Sequence, residues 1–128
     1  MKKGYERRER VSKAIQREVA RMLWSNVIKD DRLSVMVSII DVNMSPSLSS
    51  ARIYFSIMDS DLIDDIGVQA GVKAALDAQS GMISGELART LNLRYAPRLH
   101  FIYTKSLKDS VELISLIDKT VESDESNK

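Results

Sequence analysis

The sequence predicts an α+β fold in which helices cover one face of a three-stranded sheet. Three segments alternate apolar and polar residues with the period of a strand, and the other segments repeat apolar residues with the period of a helix. The predicted order is helix, strand, strand, helix, helix, strand, helix. Because two of the helices follow each other directly, one helical layer packed on a small sheet is expected. A length of 128 residues, 44% of them hydrophobic, suffices for a single domain with its own core.

The first helix is predicted from about Glu6 to Val27. It carries an apolar face at spacings of three and four residues, and a turn at Asp30-Asp31-Arg32 should follow it, because acidic side chains oppose the negative end of the helix dipole. The residues of the apolar face are Val11, Ile15, Val19 and Met22.

Two strands follow the first helix. Residues 35–42 are rich in β-branched side chains, and residues 51–57 alternate apolar and polar positions. Pro46 and the serines around it interrupt the pattern, since proline cannot donate a ladder hydrogen bond and serine favours turns. The two segments are predicted to form an antiparallel hairpin with a loop of about six residues.

Two helices joined at a kink are predicted next, after an acidic linker at residues 59–65. Ser80 and Gly81 separate the two apolar faces; glycine weakens a helix interior, and serine can cap a new helix. A third strand should follow Pro97. A capping box at residues 106–109 then predicts a last helix, and residues 122–128 contain no large apolar side chain. We therefore expect a domain over residues 1–118 and a flexible acidic tail over residues 119–128.

The net charge of +1 hides two basic segments. Residues 1–32 hold ten Lys or Arg against five acids, and residues 89–108 hold five cations and no acid. In the first helix, four cations recur at intervals of three, four and four residues, and we call them the basic stripe: Arg10, Lys13, Arg17 and Arg21. Such a surface would suit a phosphate backbone, because binding there releases condensed counterions.

Candidate RNA contacts follow from this charge pattern. The first group lies on the first helix: Arg7, Arg8, Arg10, Lys13, Arg17 and Arg21. The second group lies in turns and at strand ends: Lys29, Arg32, Arg94, Arg98, Lys105 and Lys108. Arginine's planar fork suits bidentate phosphate contacts. The alternative is that individual cations pair with Glu6, Glu9 or Glu18 of the same helix.

An enzyme is not supported by the residue types present. The chain has no cysteine and one histidine, His100, which should point away from the core because Leu99 and Phe101 point towards it. The acidic linker lacks the glycine and glutamate of a calcium loop. We expect no cofactor, no metal, no small-molecule substrate and no membrane segment, and a monomer in the cytoplasm. Trp24 is expected to pack at the edge of the core, and Gly81 to have a backbone role at the kink.

The predicted element order is that of type II KH domains, which grip single-stranded nucleic acid at a Gly-x-x-Gly turn. Here the corresponding segment reads Gly81-Met-Ile-Ser-Gly85, with one residue too many and no cation. A grip of that kind on four nucleotides is therefore not expected.

Local segments of the chain closely resemble bacterial ribosome-binding factor A, and they occur in the same order over residues 7–117. The matching segments are Arg10-Val11 with Gln16-Arg-Glu18; Ile28-Lys-Asp-Asp-Arg-Leu33; Met44-Ser45 with Leu48, Ala51, Ile53-Tyr54 and Ser56; Ser80-Gly81 with Ile83; and Leu93-Arg94, Pro97, Leu99, Phe101 and Tyr103. The resemblance implies a KH-like fold with a kinked helix pair in place of the Gly-x-x-Gly turn.

The same resemblance implies a ribosome assembly factor that binds the small subunit and its ribosomal RNA during late maturation. In that family the factor supports processing of the RNA 5′ end and growth in the cold. The chain departs from the usual family pattern at Asp31, Ser47, Gln79, Ser84 and Thr104. Because two of these positions lie at the kink, we carry no RNA contact of the family over to it.

Two other functions remain open from the residues alone. One is a generic single-strand RNA-binding domain, which would stack bases on aromatic side chains. The other is a protein-interaction module whose basic helix docks an acidic partner; its binding should depend less steeply on salt than RNA binding does.

Overall fold

The structure is a computed structural model that describes residues 2–25 and 28–105. The described elements follow the predicted order through the third strand, with one short 3-10 turn added. They are α1 (Lys2–Trp24), the 3-10 turn (Asp31–Leu33), β1 (Val37–Met44), β2 (Ser50–Ile57), α2 (Ile66–Ala78), α3 (Ser80–Thr90) and β3 (Arg98–Tyr103).

Helix α1 is amphipathic as predicted. Ile15, Val19 and Met22 are fully buried, and burying each such side chain stabilises the fold by about 1.5 to 3 kcal/mol. The helix begins at Lys2, four residues before the predicted start, and ends at Trp24. Its last turn closes on Arg21, whose carbonyl oxygen accepts from both the amide and the hydroxyl of Ser25. The predicted end at Val27 lies outside the described residues.

The turn predicted after α1 is confirmed. The Asp30 carboxylate accepts hydrogen bonds from the backbone amide and from the guanidinium of Arg32. These bonds lower the pKa of Asp30 from 3.8 to about 2. Asp30 therefore caps the 3-10 turn that leads the chain into the sheet.

The sheet has the strand order β1-β2-β3, so β2 is central. The predicted antiparallel hairpin of β1 and β2 is confirmed, and β3 joins the other side of β2 in parallel. The predicted bounds of β1 were wrong by two residues at each end, and Met44, placed in the loop by the prediction, pairs with Ala51. The loop therefore has five residues rather than six.

A bulge in β1 accounts for the way its residues are buried. The register shifts between Ile39 and Asp41, so Val37 and Ile39 face the helices before it, and Val42 and Met44 face them after it. A strict alternation from Val37 would have pointed Asp41 into the core.

The hairpin loop holds a leucine in a left-handed conformation, with φ of 60° at Leu48. Pro46 occupies the second position of a turn that the Leu48 amide closes on the Ser45 carbonyl at 3.0 Å. Leu48 also packs against the core. That packing offsets the steric cost of the conformation for a residue with a Cβ.

The predicted kinked helix pair is confirmed, and Gln79 alone separates α2 from α3. Two details of the prediction were wrong. Ser80 does not cap the new helix, because its hydroxyl donates back to the Asp77 carbonyl at 2.7 Å. Gly81 has no backbone role that requires glycine, since no described glycine has positive φ and a Cβ there would meet nothing within 4 Å.

The core lies between the helices and one face of the sheet. It joins the apolar face of α1 to side chains of α2, α3 and all three strands, including Val72, Leu76, Ile83 and Leu87. Phe55 and Phe101 are buried as predicted. No helix in the described part of the chain is both long and apolar enough to span a membrane. The predicted last helix and the acidic tail lie outside the described residues.

Candidate nucleic-acid interface

The basic stripe lies on the exposed side of α1. Arg10, Lys13, Arg17 and Arg21 are all exposed, whereas the apolar residues between them are buried or half-buried. Each step of three or four residues advances about 4.5 to 6 Å along the helix axis. The stripe therefore presents a straight row of cations to solvent.

Gln16 fixes the orientation of α1 on the sheet. Its side-chain amide donates to the backbone carbonyl oxygens of Ile39 at 3.2 Å and Ile40 at 3.3 Å, at the bulge of the edge strand β1. Together with buried Ile15, these bonds set the rotation of the helix about its axis. The stripe consequently faces away from the core.

Arg21 differs from the rest of the stripe because it forms an ion pair with a carboxylate. Its Nε donates to Glu18 at 2.9 Å, and its charge also acts on Glu86 of α3. Glu86 pairs with Arg89, which lowers the pKa of the Glu86 carboxyl, with a smaller contribution from Arg21. The predicted pairing with acids of the same helix is therefore confirmed for Arg21 and Glu18.

The other three cations of the stripe form no ion pair with a described residue. Among the residues that the structure describes, no carboxylate lies within 4.0 Å of the charged nitrogens of Arg10, Lys13 or Arg17. Arg7 is also exposed, whereas Arg8 is half-buried and makes a contact of its own. Arg10, Lys13 and Arg17 are therefore the part of the stripe whose charge is available to an anion.

Asp41, at the bulge, is an acid on which a cation of the stripe acts. Burial raises the pKa of the Asp41 carboxyl, Glu9 raises it further, and the amide of Val42 and the charge of Lys13 lower it. Part of the field of Lys13 thus acts on Asp41.

The second group of predicted contacts is dispersed. Arg32 is bound to Asp30, Lys105 to Asp64, and the Arg94 guanidinium lies 5.4 Å from the centre of the Tyr95 ring. Lys29 is exposed, and Lys108 lies outside the described residues. Arg98 begins β3 and Lys105 follows its last residue, Tyr103, by two positions, so the two are roughly 20 Å apart at about 3.3 Å per residue. The described members of this group therefore do not form one cluster among themselves.

A family model decides the relationship of this chain to known proteins. The model described as "Ribosome-binding factor A" matches residues 7–117. The chain belongs to the ribosome-binding factor A family.

Solved structures agree on the fold. The crystal structure of ribosome-binding factor A from Thermus thermophilus is 20% identical in sequence; the match covers 79% of this chain and 97% of that one, with a TM-score of 0.59. The Thermus thermophilus factor fitted as a homology model into a cryo-EM map of its 30S complex is 21% identical over 70% of this chain and 87% of that one, with a TM-score of 0.53. The fold is therefore the KH-like fold of that family.

The kink of this ribosome-binding factor A family member offers a small-residue surface. Gly81 and Gly85 of α3 are exposed, whereas Ser84 between them is buried and donates its hydroxyl to the Pro97 carbonyl. Ser84 thus ties α3 to the start of β3 and faces away from solvent.

His100 points away from the core, as predicted, and is exposed on the other face of the sheet. Within residues 2–25 and 28–105, no three His, Asp or Glu side chains converge as a metal site would require. The acidic linker uses its side chains locally: Asp59 accepts from the Asp61 amide, and Asp65 caps α2 through the Val68 amide.

The prediction for Trp24 was wrong. Its ring does not pack at the core edge but is 67% exposed. The sequence did carry the signal, since Trp24 follows Arg21 by three residues and Arg17 by seven, which continues the spacing of the basic stripe. The spacing of Trp24 from the apolar face alone does not reveal this continuation.

Proposed function

We propose that this protein is a ribosome assembly factor that binds the small ribosomal subunit through its ribosomal RNA, with the basic stripe of α1 as the principal contact. One observation carries the proposal: a member of the ribosome-binding factor A family presents Arg10, Lys13 and Arg17 to solvent with no described carboxylate in ion-pair range. The 30S complex of the Thermus relative is consistent with such a partner.

The stripe suits a phosphate backbone better than a protein surface. The three cations without an ion-pair partner, Arg10, Lys13 and Arg17, are spaced at helical intervals on a helix that buried side chains and Gln16 hold in place, so binding does not have to order the backbone that carries them. Each neutralised phosphate should contribute a slope of roughly 0.7 to 0.9 to the dependence of log K on log salt. Binding should therefore weaken steeply as salt rises.

The remaining candidate contacts rank below these three. Arg7 extends the row towards the start of the helix, and Arg21 would first have to share Glu18. Lys29, Arg94 and Arg98 are exposed and could meet neighbouring RNA, whereas Arg32 and Lys105 would have to leave their carboxylates.

The biological step that we propose is late maturation of the small subunit, with support of 5′-end processing of its RNA and of growth in the cold. This assignment rests on membership of the family. Cells that lack the protein should accumulate small-subunit RNA with an unprocessed 5′ end and should grow poorly at low temperature. Normal RNA ends in such cells at low temperature would contradict it.

Co-sedimentation tests the binding itself. The purified protein is mixed with small subunits, large subunits or naked small-subunit RNA across a salt series. Selective and salt-sensitive sedimentation with the small subunit is expected. Equal binding to small subunits, large subunits and naked RNA would indicate a generic RNA-binding protein. Binding whose affinity does not change with salt concentration would indicate a protein partner.

A further inference from the structure

We propose that Trp24 stacks on an unpaired RNA base at the end of the basic stripe; this inference rests on the proposed function. The indole lies at the end of the row of exposed side chains on α1. An RNA strand whose phosphates lie along the stripe would therefore bring a base to the ring. Nothing in the core requires the ring to be there, since it is 67% exposed.

Helix geometry places the ring on the same face as the cations. Trp24 follows Arg17 by seven residues. This interval falls about 20° short of two full helical turns, so the two side chains leave the helix in nearly the same direction, about 10 Å apart along its axis. Arg10 precedes Arg17 by the same interval. A bound strand that contacts Arg10 and Arg17 therefore passes Trp24 without turning.

A cleft beside the ring offers room for a base. It has a volume of about 200 Å³ and is lined by Trp24 together with Leu23, Leu33, Ser34, Val35, Met36 and Val37. Met36 is itself 50% exposed, and a thioether makes favourable contacts with aromatic rings. The base would thus find an aromatic platform beside apolar side chains, with the Ser34 hydroxyl as a polar group in the lining.

The surrounding charges favour a nucleotide over an apolar protein side chain. Arg17 precedes the ring on the stripe, and exposed Lys29 lines an adjoining pocket that shares Leu23 and Leu33 with this cleft and also holds Asp30 and Asp31. The Asp30 carboxylate nearby is occupied by Arg32 and so repels phosphate less. Aromatic stacking beside cations is the usual arrangement in proteins that bind single strands.

Three variants separate stacking from other roles of the ring. Trp24→Ala removes it, Trp24→Phe keeps an aromatic face, and Trp24→Leu keeps apolar bulk without stacking. Binding is measured to small subunits and to naked small-subunit RNA. We expect Trp24→Ala and Trp24→Leu to bind both about tenfold more weakly and Trp24→Phe to retain most of the affinity. All three should keep the wild-type unfolding temperature, because the ring is exposed.

Fluorescence gives a second readout without any substitution. Trp24 is the only tryptophan, so its emission reports this ring alone, and stacking on a base should quench it when naked small-subunit RNA is added. Unchanged emission at saturating RNA would overturn the inference.

The other outcomes are also decisive. Wild-type affinity of Trp24→Ala, or full affinity of Trp24→Leu, would overturn base stacking while leaving the stripe intact. A loss on small subunits but not on naked RNA would show that the ring meets a ribosomal protein instead. If neutralising Arg10 and Arg17 had no effect either, the proposed function would fail with it.

Discussion

Gln16 of α1 donates its side-chain amide to the carbonyl oxygen of Ile39, 3.2 Å away at the bulge of β1. The same amide reaches the carbonyl of Ile40, so one side chain serves two neighbouring oxygens at the bulge. The bond links the irregular point of the sheet to the helix that carries the basic stripe. It is the most specific feature that orients the stripe towards solvent.

Replacing Gln16 should therefore cost stability. We expect Gln16→Ala to lower the free energy of unfolding by about 1 to 2 kcal/mol, because two carbonyl oxygens lose their donor. Urea unfolding followed by circular dichroism measures the loss. Arg17→Ala, the next residue and exposed, is the matched control and should change stability by less than about 0.5 kcal/mol. Equal effects of the two substitutions would show that the amide bonds do not hold the helix.

Asp41 should make stability depend on pH. Its pKa in the folded protein is raised above 3.8, chiefly by burial, so the folded state binds this proton more tightly than the unfolded chain does. The protonated carboxyl therefore stabilises the folded state. This contribution is fully present below the ordinary pKa of 3.8 and is lost as the pH rises through the higher pKa of the folded state. Asp41→Asn should consequently stabilise the protein at neutral pH, and the gain should shrink below about pH 4.

Thermal unfolding of Asp41→Asn across a pH series checks this sign. Asp61→Asn, at an exposed position of the linker, removes the same charge as a control. A variant of Asp41 that is less stable than wild type at neutral pH would mean that attraction to Lys13 outweighs the burial of the carboxylate.

Asn92 terminates α3 in a left-handed conformation, with φ of 53°. The Leu93 amide then bonds back to the Ala88 carbonyl at 2.9 Å, as in a Schellman motif. We expect Asn92→Ala to lower the free energy of unfolding by about 1 kcal/mol and Asn92→Gly to leave it unchanged or slightly higher. Chemical denaturation of the two variants distinguishes conformation from side-chain contacts; an equal loss in both would contradict the conformational cause.

Replacing Gly85 by alanine should stabilise the protein. It lies in the middle of α3, and a Cβ there would meet nothing within 4 Å, so Gly85→Ala should raise the free energy of unfolding by about 0.5 to 1 kcal/mol. Gly67→Ala is the matched control: its Cβ would lie 3.3 Å from the Asp65 oxygen that caps α2, and its gain should be smaller or negative. If Gly85→Ala is more stable yet binds small subunits more weakly, the small-residue face of α3 approaches RNA closely.

The elements themselves could be predicted because each depends on a local pattern. The amphipathic period of α1, the interruption at Pro46 and the break at Ser80 all lie within a few residues, and each gave the correct element. The bulge could not be found this way, since it is a property of the register between β1 and β2. The bounds of β1 were wrong for the same reason.

The site was only partly predictable from the sequence. Exposure of the stripe and the pairing of Arg21 with Glu18 follow from the helical period, but the additional interaction of Arg21 with Glu86 depends on another helix, and the separation of Arg98 from Lys105 depends on β3 being extended. Whether Ser84 faces solvent or Pro97 is likewise decided by the packing of α3 on β3.

The salt dependence of small-subunit binding by Arg10→Gln/Arg17→Gln tests the central claim most directly. Lys73→Gln/Arg89→Gln is the control, because it removes the same charge from exposed positions of α2 and α3. If the stripe contacts phosphates, the first variant should bind more weakly and its slope of log K against log salt should be shallower by about 1.5. The control should keep the wild-type slope. Equal slopes in wild type and both variants, with all three proteins folded, would contradict the account.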